Sequence, residues 1–77
     1  MRKSKDIDEK TWKLVRKVSA NIKKIRHQKN LTQEDMEQLG FGLRWYQRFE
    51  SGTHIPTLPT LDRLARAFKV DITSFFE

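Results

Sequence analysis

Apolar residues recur every three or four positions over most of this chain, which is the spacing of one face of an α-helix. The first such stretch predicts an amphipathic helix over roughly residues 9–29. Its repeating positions are Trp12, Val15, Val18, Ser19, Ile22, Ile25 and Arg26. A later stripe predicts another helix, with Thr57 as N-cap and Pro59 in its first turn. Its apolar positions are Leu58, Leu61, Leu64, Ala65 and Phe68.

The stretch between these helices, LTQEDMEQLGFGLRWYQRFESG, predicts two short helices separated by a tight turn. Thr32 is a candidate N-cap, followed by acidic residues in the first turn, where the helix dipole favours them. Gly40 and Gly42 allow positive φ in the turn. The second helix begins near Leu43 and is ended by Ser51 and the glycine after it.

Helical spacing within this pair separates core positions from surface positions. Met36, Leu39, Tyr46 and Phe49 are predicted to enter the core. Leu43, Arg44, Gln47 and Arg48 are then left facing outward. A last short helix, capped by Asp71, carries Ile72, Phe75 and Phe76. The pattern predicts an all-α fold of five helices with an extended first helix and no strand.

Composition narrows the class of protein. With 77 residues and no cysteine, we expect residues 1–8 to form a flexible basic N-terminus and residues 9–77 to form one domain. Hydrophobic residues make up 36 % of the chain, which is enough for one core but not for a roomy substrate pocket as well. The sequence contains no recognisable catalytic or metal-ligand cluster. We therefore expect neither an enzyme nor a cofactor or metal. No apolar segment is long enough for a membrane helix or a secretory signal. We therefore expect a cytoplasmic protein.

The charge balance favours a polyanionic partner, either nucleic acid or an acidic membrane surface, because phosphate contacts release counterions. Sixteen Lys and Arg against ten Asp and Glu give a net charge of +6. The surplus is concentrated before residue 30, at Arg2, Lys3, Lys5, Lys10, Lys13, Arg16, Lys17, Lys23, Lys24, Arg26 and Lys29. Charge on a helix of this kind can equally serve only as a solvated face. Charge alone therefore leaves both interpretations open.

Ordered motifs run from about Ile22 to Phe76. They are IxxIR, LTQEDM and LG, then RFESG, PTL and LARAFKV. Together they resemble the Cro and phage-repressor type of helix-turn-helix, also called the xenobiotic-response-element family. The resemblance implies a compact five-helix bundle and a sequence-specific regulator that binds double-stranded DNA, usually as a dimer on a near-palindromic site. It also implies that the helix after the turn enters the major groove, and that the protein is associated with the nucleoid.

Four side chains on that helix have the chemistry to contact base edges, because the N-terminal residues of such a helix lie nearest the bases. Leu43 can press on a thymine methyl group, and Arg44 and Arg48 can pair with guanine. Gln47 can pair with adenine. The resemblance adds expected phosphate contacts at Gln33, Ser51, Thr53 and His54.

The resemblance also implies a partly buried ion pair between Arg26 and Glu50, joining the first and third helices. The first helix extends further than the family core requires, and the C-terminal aromatics exceed what so short a helix can bury alone. Candidate dimer contacts are therefore Trp12, Ile72, Phe75 and Phe76. The same features suit a second function, an antitoxin-like or adaptor module that binds a protein partner. A homodimer and a protein partner can coexist with DNA binding.

Overall fold

The helical pattern of the sequence is realised in a computed structural model, which describes residues 7–77. Within that range four α-helices precede a 3-10 helix, and no strand is present. The elements are α1 (Glu9–Gln28), α2 (Gln33–Gln38), α3 (Leu43–Glu50), α4 (Leu58–Phe68) and the 3-10 helix Ile72–Phe76. The all-α prediction is confirmed. The expected fifth helix is a 3-10 helix, which closes tighter turns than an α-helix and is common in short pieces.

Side-chain caps set the helix starts. Thr32 and Asp35 form a reciprocal capping box, in which each side chain accepts a hydrogen bond from the other residue's backbone N–H. Thr57 and Asp71 cap α4 and the 3-10 helix, as predicted. Asp8 caps α1 by accepting from Thr11, and that hydrogen bond lowers the pKa of Asp8. The proposed flexible terminus therefore does not include Asp8, and its residues 1–6 lie outside the described part.

One hydrophobic core is shared by all the elements. Its fully buried large side chains include Ile22 and Met36 together with Tyr46, Phe49, Leu64, Phe68 and Phe75. The Phe68 and Phe75 rings pack edge to face, with their centroids 6.4 Å apart. Asn21 on α1 donates a hydrogen bond of 2.9 Å to the Phe75 carbonyl. The C-terminal 3-10 helix is thus fixed against both α1 and α4.

Two leucines lie on the surface: Leu39, which was predicted in the core, and Leu58, which belongs to the apolar stripe of α4. Leu39 is 43 % exposed because it follows the last residue of α2, where the chain turns away. Leu58 is 70 % exposed because it is the first residue of α4. Side chains in a helix point back toward the helix N-terminus, and α4 has no turn before Leu58 for this side chain to pack on. Phe41, in the turn between α2 and α3, enters the core instead.

The turns before and after α3 depend on two glycines. Gly40 has φ of +99° and Gly52 has φ of +80°, values that L side chains rarely adopt. A Cβ atom on Gly52 would also lie 3.2 Å from Cγ of Arg16, so α1 passes close to the turn that follows α3. The prediction of a positive φ at Gly42 is wrong, because its φ is −56°, a value that other residues also adopt.

Candidate nucleic-acid interface

Helix α3 has one buried and one exposed face. Tyr46 and Phe49 are fully buried on its inner side. Arg44, Gln47 and Arg48 are exposed, and Leu43 at its first position is half-buried. The four predicted base-contacting residues therefore lie on a short helix whose polar side is available to a ligand.

The Glu50 carboxylate at the end of α3 is a hub of hydrogen bonds. Arg26 on α1 approaches it with Nε at 2.7 Å and Nη2 at 3.2 Å. Gln33 donates to it from Nε2 at 3.0 Å, and the Tyr46 hydroxyl donates a short hydrogen bond. The side chains of Arg26 and Glu50 are only 6 % and 3 % exposed. The resemblance implied this pair, and the structure places it in the interior at the junction of α1, α2 and α3.

The electrostatics of the hub favour the charged pair. Its hydrogen bond to Glu50 raises the pKa of Arg26, against the effect of burial. Desolvation alone would raise the pKa of Glu50, but the hydrogen bonds from Arg26, Tyr46 and Gln33 together outweigh it and lower that pKa. Burial, and then the bond to Glu50, raise the pKa of Tyr46, so its hydroxyl stays protonated as a donor.

Gln33 connects this buried hub to the exposed side of α3. Its Nε2 is bonded to Glu50, which leaves Oε1 to accept a hydrogen bond of 3.2 Å from Nε2 of Gln47. The predicted phosphate-contacting residue and one predicted base-contacting residue are thus in direct contact. Because the amide of Gln33 is held on the Glu50 side, the orientation of Gln47 depends on a carboxylate in the interior.

Aromatic side chains pack α3 against the turn before it and the loop after it. The Trp45 ring lies parallel to that of Phe49, with centroids 5.5 Å apart, and is stacked on Phe41 at 6.3 Å. His54 meets Trp45 edge-on at 5.9 Å. Trp45 is half-buried. This burial fits a side chain that supports α3, whereas a platform that stacks bases of single-stranded nucleic acid needs an exposed ring face.

The remaining predicted phosphate contacts lie together beyond the C-terminus of α3. Ser51 and Thr53 are exposed, and their hydroxyl oxygens are 2.8 Å apart. Ser51 also donates to the Arg48 carbonyl at 2.5 Å. His54 follows them but is half-buried against Trp45, so less of its ring is accessible. Gln33 is separate from this group, at the start of α2.

The structure divides the candidate dimer residues. Phe75 is fully buried, which corrects its assignment to a dimer surface, because the ring fills the core of its own chain beside Phe68. Phe76 is 42 % exposed, whereas Ile72 and Trp12 are half-buried. Leu14 on α1, 49 % exposed, was absent from the candidates.

Sequence reasoning missed two contributors to this region. The Tyr46 hydroxyl joins the Glu50 hub, and the four-residue spacing between the two on α3 was the available signal. Arg63 on α4 reaches the turn before α3, and no local pattern in the sequence indicates that contact.

The described residues offer neither a metal-ligand cluster nor a membrane-spanning helix. Residues 7–77 contain no group of three or more side chains that could hold a metal ion. None of the helices in that range combines the length and apolar character needed to cross a membrane.

Comparisons with known proteins agree with the geometry. The sequence model of the helix-turn-helix family matches residues 22–75, which include α2, the turn and α3. Over 54 residues the chain is 39 % identical to an uncharacterised HTH-type transcriptional regulator, y4dJ, of Sinorhizobium fredii, covering 69 % of this chain and 70 % of that protein. No solved structure matches. The chain belongs to the Cro/C1-type helix-turn-helix family of DNA-binding regulators.

Proposed function

We propose that the protein regulates transcription by binding a specific double-stranded site, with α3 in the major groove and two copies on a near-palindrome. The observation that carries this is the exposed side of α3. The guanidinium groups of Arg44 and Arg48 form no ion pair or side-chain hydrogen bond with residues 7–77. Both groups are therefore available to base edges without first breaking an internal contact.

The phosphate contacts follow the same placement of the helix. Ser51 and Thr53 lie at the C-terminal end of α3, and the Gln33 side of α2 lies beside its middle. With α3 in the groove, each of these two groups is placed beside the helix to meet a backbone phosphate. Their role is to fix the register of the protein, since phosphates carry no base sequence.

The test is a selection of random duplexes by the purified protein, repeated with an Arg44→Ala/Arg48→Ala variant. We expect a consensus of two half-sites about one helical turn apart, which the variant fails to enrich while keeping its melting temperature. A Lys24→Ala/Arg66→Ala variant is the matched control, since it removes the same charge from exposed positions on α1 and α4. Loss of enrichment in the control as well, or no enrichment by the wild type, would contradict base contact by α3.

The dimer has its own test. Phe76 is exposed beside Phe75, whose carbonyl is bonded to Asn21, so truncating Phe76 removes apolar surface without touching that bond. We expect Phe76→Ala to shift sedimentation equilibrium toward monomer and to weaken operator binding at low protein concentration. A variant that is monomeric yet keeps full operator affinity would rule out this interface.

A second function, a module that binds a protein partner, is favoured by the exposed apolar side chains Leu14 and Phe76. It predicts nanomolar affinity for a co-expressed protein and no enrichment in the duplex selection. The two functions are therefore separated by the same first experiment, performed with and without the partner.

A further inference from the structure

A small cleft lies between the turn before α3 and helix α4. It has a volume of about 290 Å³ and is lined by Gly40, Phe41, Gly42, Trp45, Thr60 and Arg63. Arg63 is the only charged residue among them, and it is exposed. The cleft borders the first turn of α3, the part of a recognition helix that lies nearest the bases.

Two contacts hold the Arg63 guanidinium in place. Its Cζ lies 4.8 Å from the centre of the Phe41 ring, and its Nη2 donates a hydrogen bond of 3.2 Å to the Gly40 carbonyl. Phe41 is itself buried and Gly40 is fixed in the left-handed region, so the platform beneath the guanidinium is part of the rigid turn. An arginine held in this way loses less side-chain freedom on binding than a free surface arginine.

The remaining donors of Arg63 have the chemistry for a phosphate group. A guanidinium carries five N–H donors in a planar fork that matches phosphate oxygens. Arg63 uses one of its donors for the Gly40 carbonyl, so the others can bind a phosphate. The acidic residue nearest in sequence, Asp62, is paired with Arg66 at 3.1 Å and does not compete for Arg63.

We propose that Arg63 binds a DNA backbone phosphate at the edge of the major groove that the N-terminus of α3 enters. The inference rests on the proposed function and adds a phosphate contact from α4, outside the helix-turn-helix pair. Through the Gly40 carbonyl and the Phe41 ring, that contact would connect the DNA backbone directly to the turn that sets the angle of α3.

The experiment uses the full chain and two charge-matched variants, Arg63→Gln and Arg66→Gln. Glutamine keeps an amide donor for the Gly40 carbonyl but removes the charge. Arg66 lies on the same helix, is 79 % exposed and takes part in a surface pair with Asp62. Binding to the selected duplex and to a random duplex of equal length is measured over a range of salt, with melting temperatures recorded for each protein.

We expect Arg63→Gln to weaken both duplexes by the same factor and to lower the slope of log K against log salt by roughly 0.9, the contribution of one phosphate. Arg66→Gln should leave the slope unchanged. Equal slopes for wild type and Arg63→Gln would overturn the phosphate contact while leaving the proposed function intact. A loss confined to the selected duplex would overturn it too, since that result is typical of base contact. A wild type that binds neither duplex would overturn both proposals.

Discussion

The two faces of α3 differ in how their polar groups are satisfied. On the inner face, Tyr46 and Glu50 are bonded within a buried hub that also takes a guanidinium from α1. On the outer face, Arg44 and Arg48 have no side-chain partner within residues 7–77. Eight residues thus supply both a scaffold and the proposed binding surface. A substitution should change stability on one face and DNA binding on the other, and the following predictions test how sharp that division is.

The largest expected effect is on the inner face, for Arg26→Met. The variant leaves the Glu50 carboxylate buried without its cation, and loss of one partner of such a pair costs roughly 3–5 kcal/mol of unfolding free energy. Urea denaturation measures the loss. Arg66→Met, which breaks an exposed pair with Asp62, should cost no more than about 0.5 kcal/mol.

The double variant Arg26→Met/Glu50→Met shows how much of the loss comes from leaving one charge buried without its partner. Because it removes both charges, we expect it to cost less than the two single variants added together. Equal losses for Arg26→Met and Arg66→Met would mean that the buried pair does not stabilise the junction of α1 and α3.

The second prediction concerns acid stability. The pKa of Glu50 is lowered below its ordinary value of 4.5, so the unfolded chain binds this proton at a higher pH than the folded one. The stabilisation is complete above that value and is lost as the pH falls through the lower pKa of the folded state. We expect the unfolding free energy of the wild type to decrease as the pH drops below about 4.5.

The double variant without Arg26 and Glu50 provides the comparison for this pH dependence. Asp8 and Asp71 also have lowered pKa values, because each accepts backbone hydrogen bonds at a helix start, and they contribute in the same direction. Both remain in the double variant, which should therefore show a shallower but nonzero decrease. If unfolding free energy falls with pH as steeply in the double variant as in the wild type, the acid dependence comes from the helix caps Asp8 and Asp71 and not from Glu50.

Local signals in the sequence were sufficient for most of the scaffold. Thr32, Thr57 and Asp71 each precede a helical stripe, and each caps a helix in the structure, because capping depends on residues only two or three positions apart. Leu39 and Leu58 show the limit of periodicity. Spacing identifies a face, but at a helix end the chain direction decides whether that face meets the core.

The hub at Glu50 depended on contacts that spacing cannot supply. Its partners Arg26 and Gln33 lie 24 and 17 residues away on other helices. The pairing with Arg26 was expected only through the family resemblance, whereas the bonds from Gln33 and Tyr46 were not predicted. Phe41, flanked by glycines in a turn, lacked any periodic context that would indicate burial. Long-range polar contacts and turn residues are set by the packing of whole helices.

The smallest expected change in stability is at the boundary between the two faces, at Gln47. Its side chain is exposed and has one hydrogen bond, to Oε1 of Gln33, so Gln47→Ala should change the unfolding free energy by no more than about 0.5 kcal/mol. The effect of Gln47→Ala on base preference should be larger, since one bidentate base contact is worth about 1–3 kcal/mol of discrimination.

Gln33→Ala leaves Gln47 in place but removes the group that orients it. If the hub controls the outer face, duplex selection with Gln33→Ala should lose preference at the same base pair as Gln47→Ala, to a smaller degree. An unchanged preference at that base pair in Gln33→Ala would show that the hub does not control the outer face of α3.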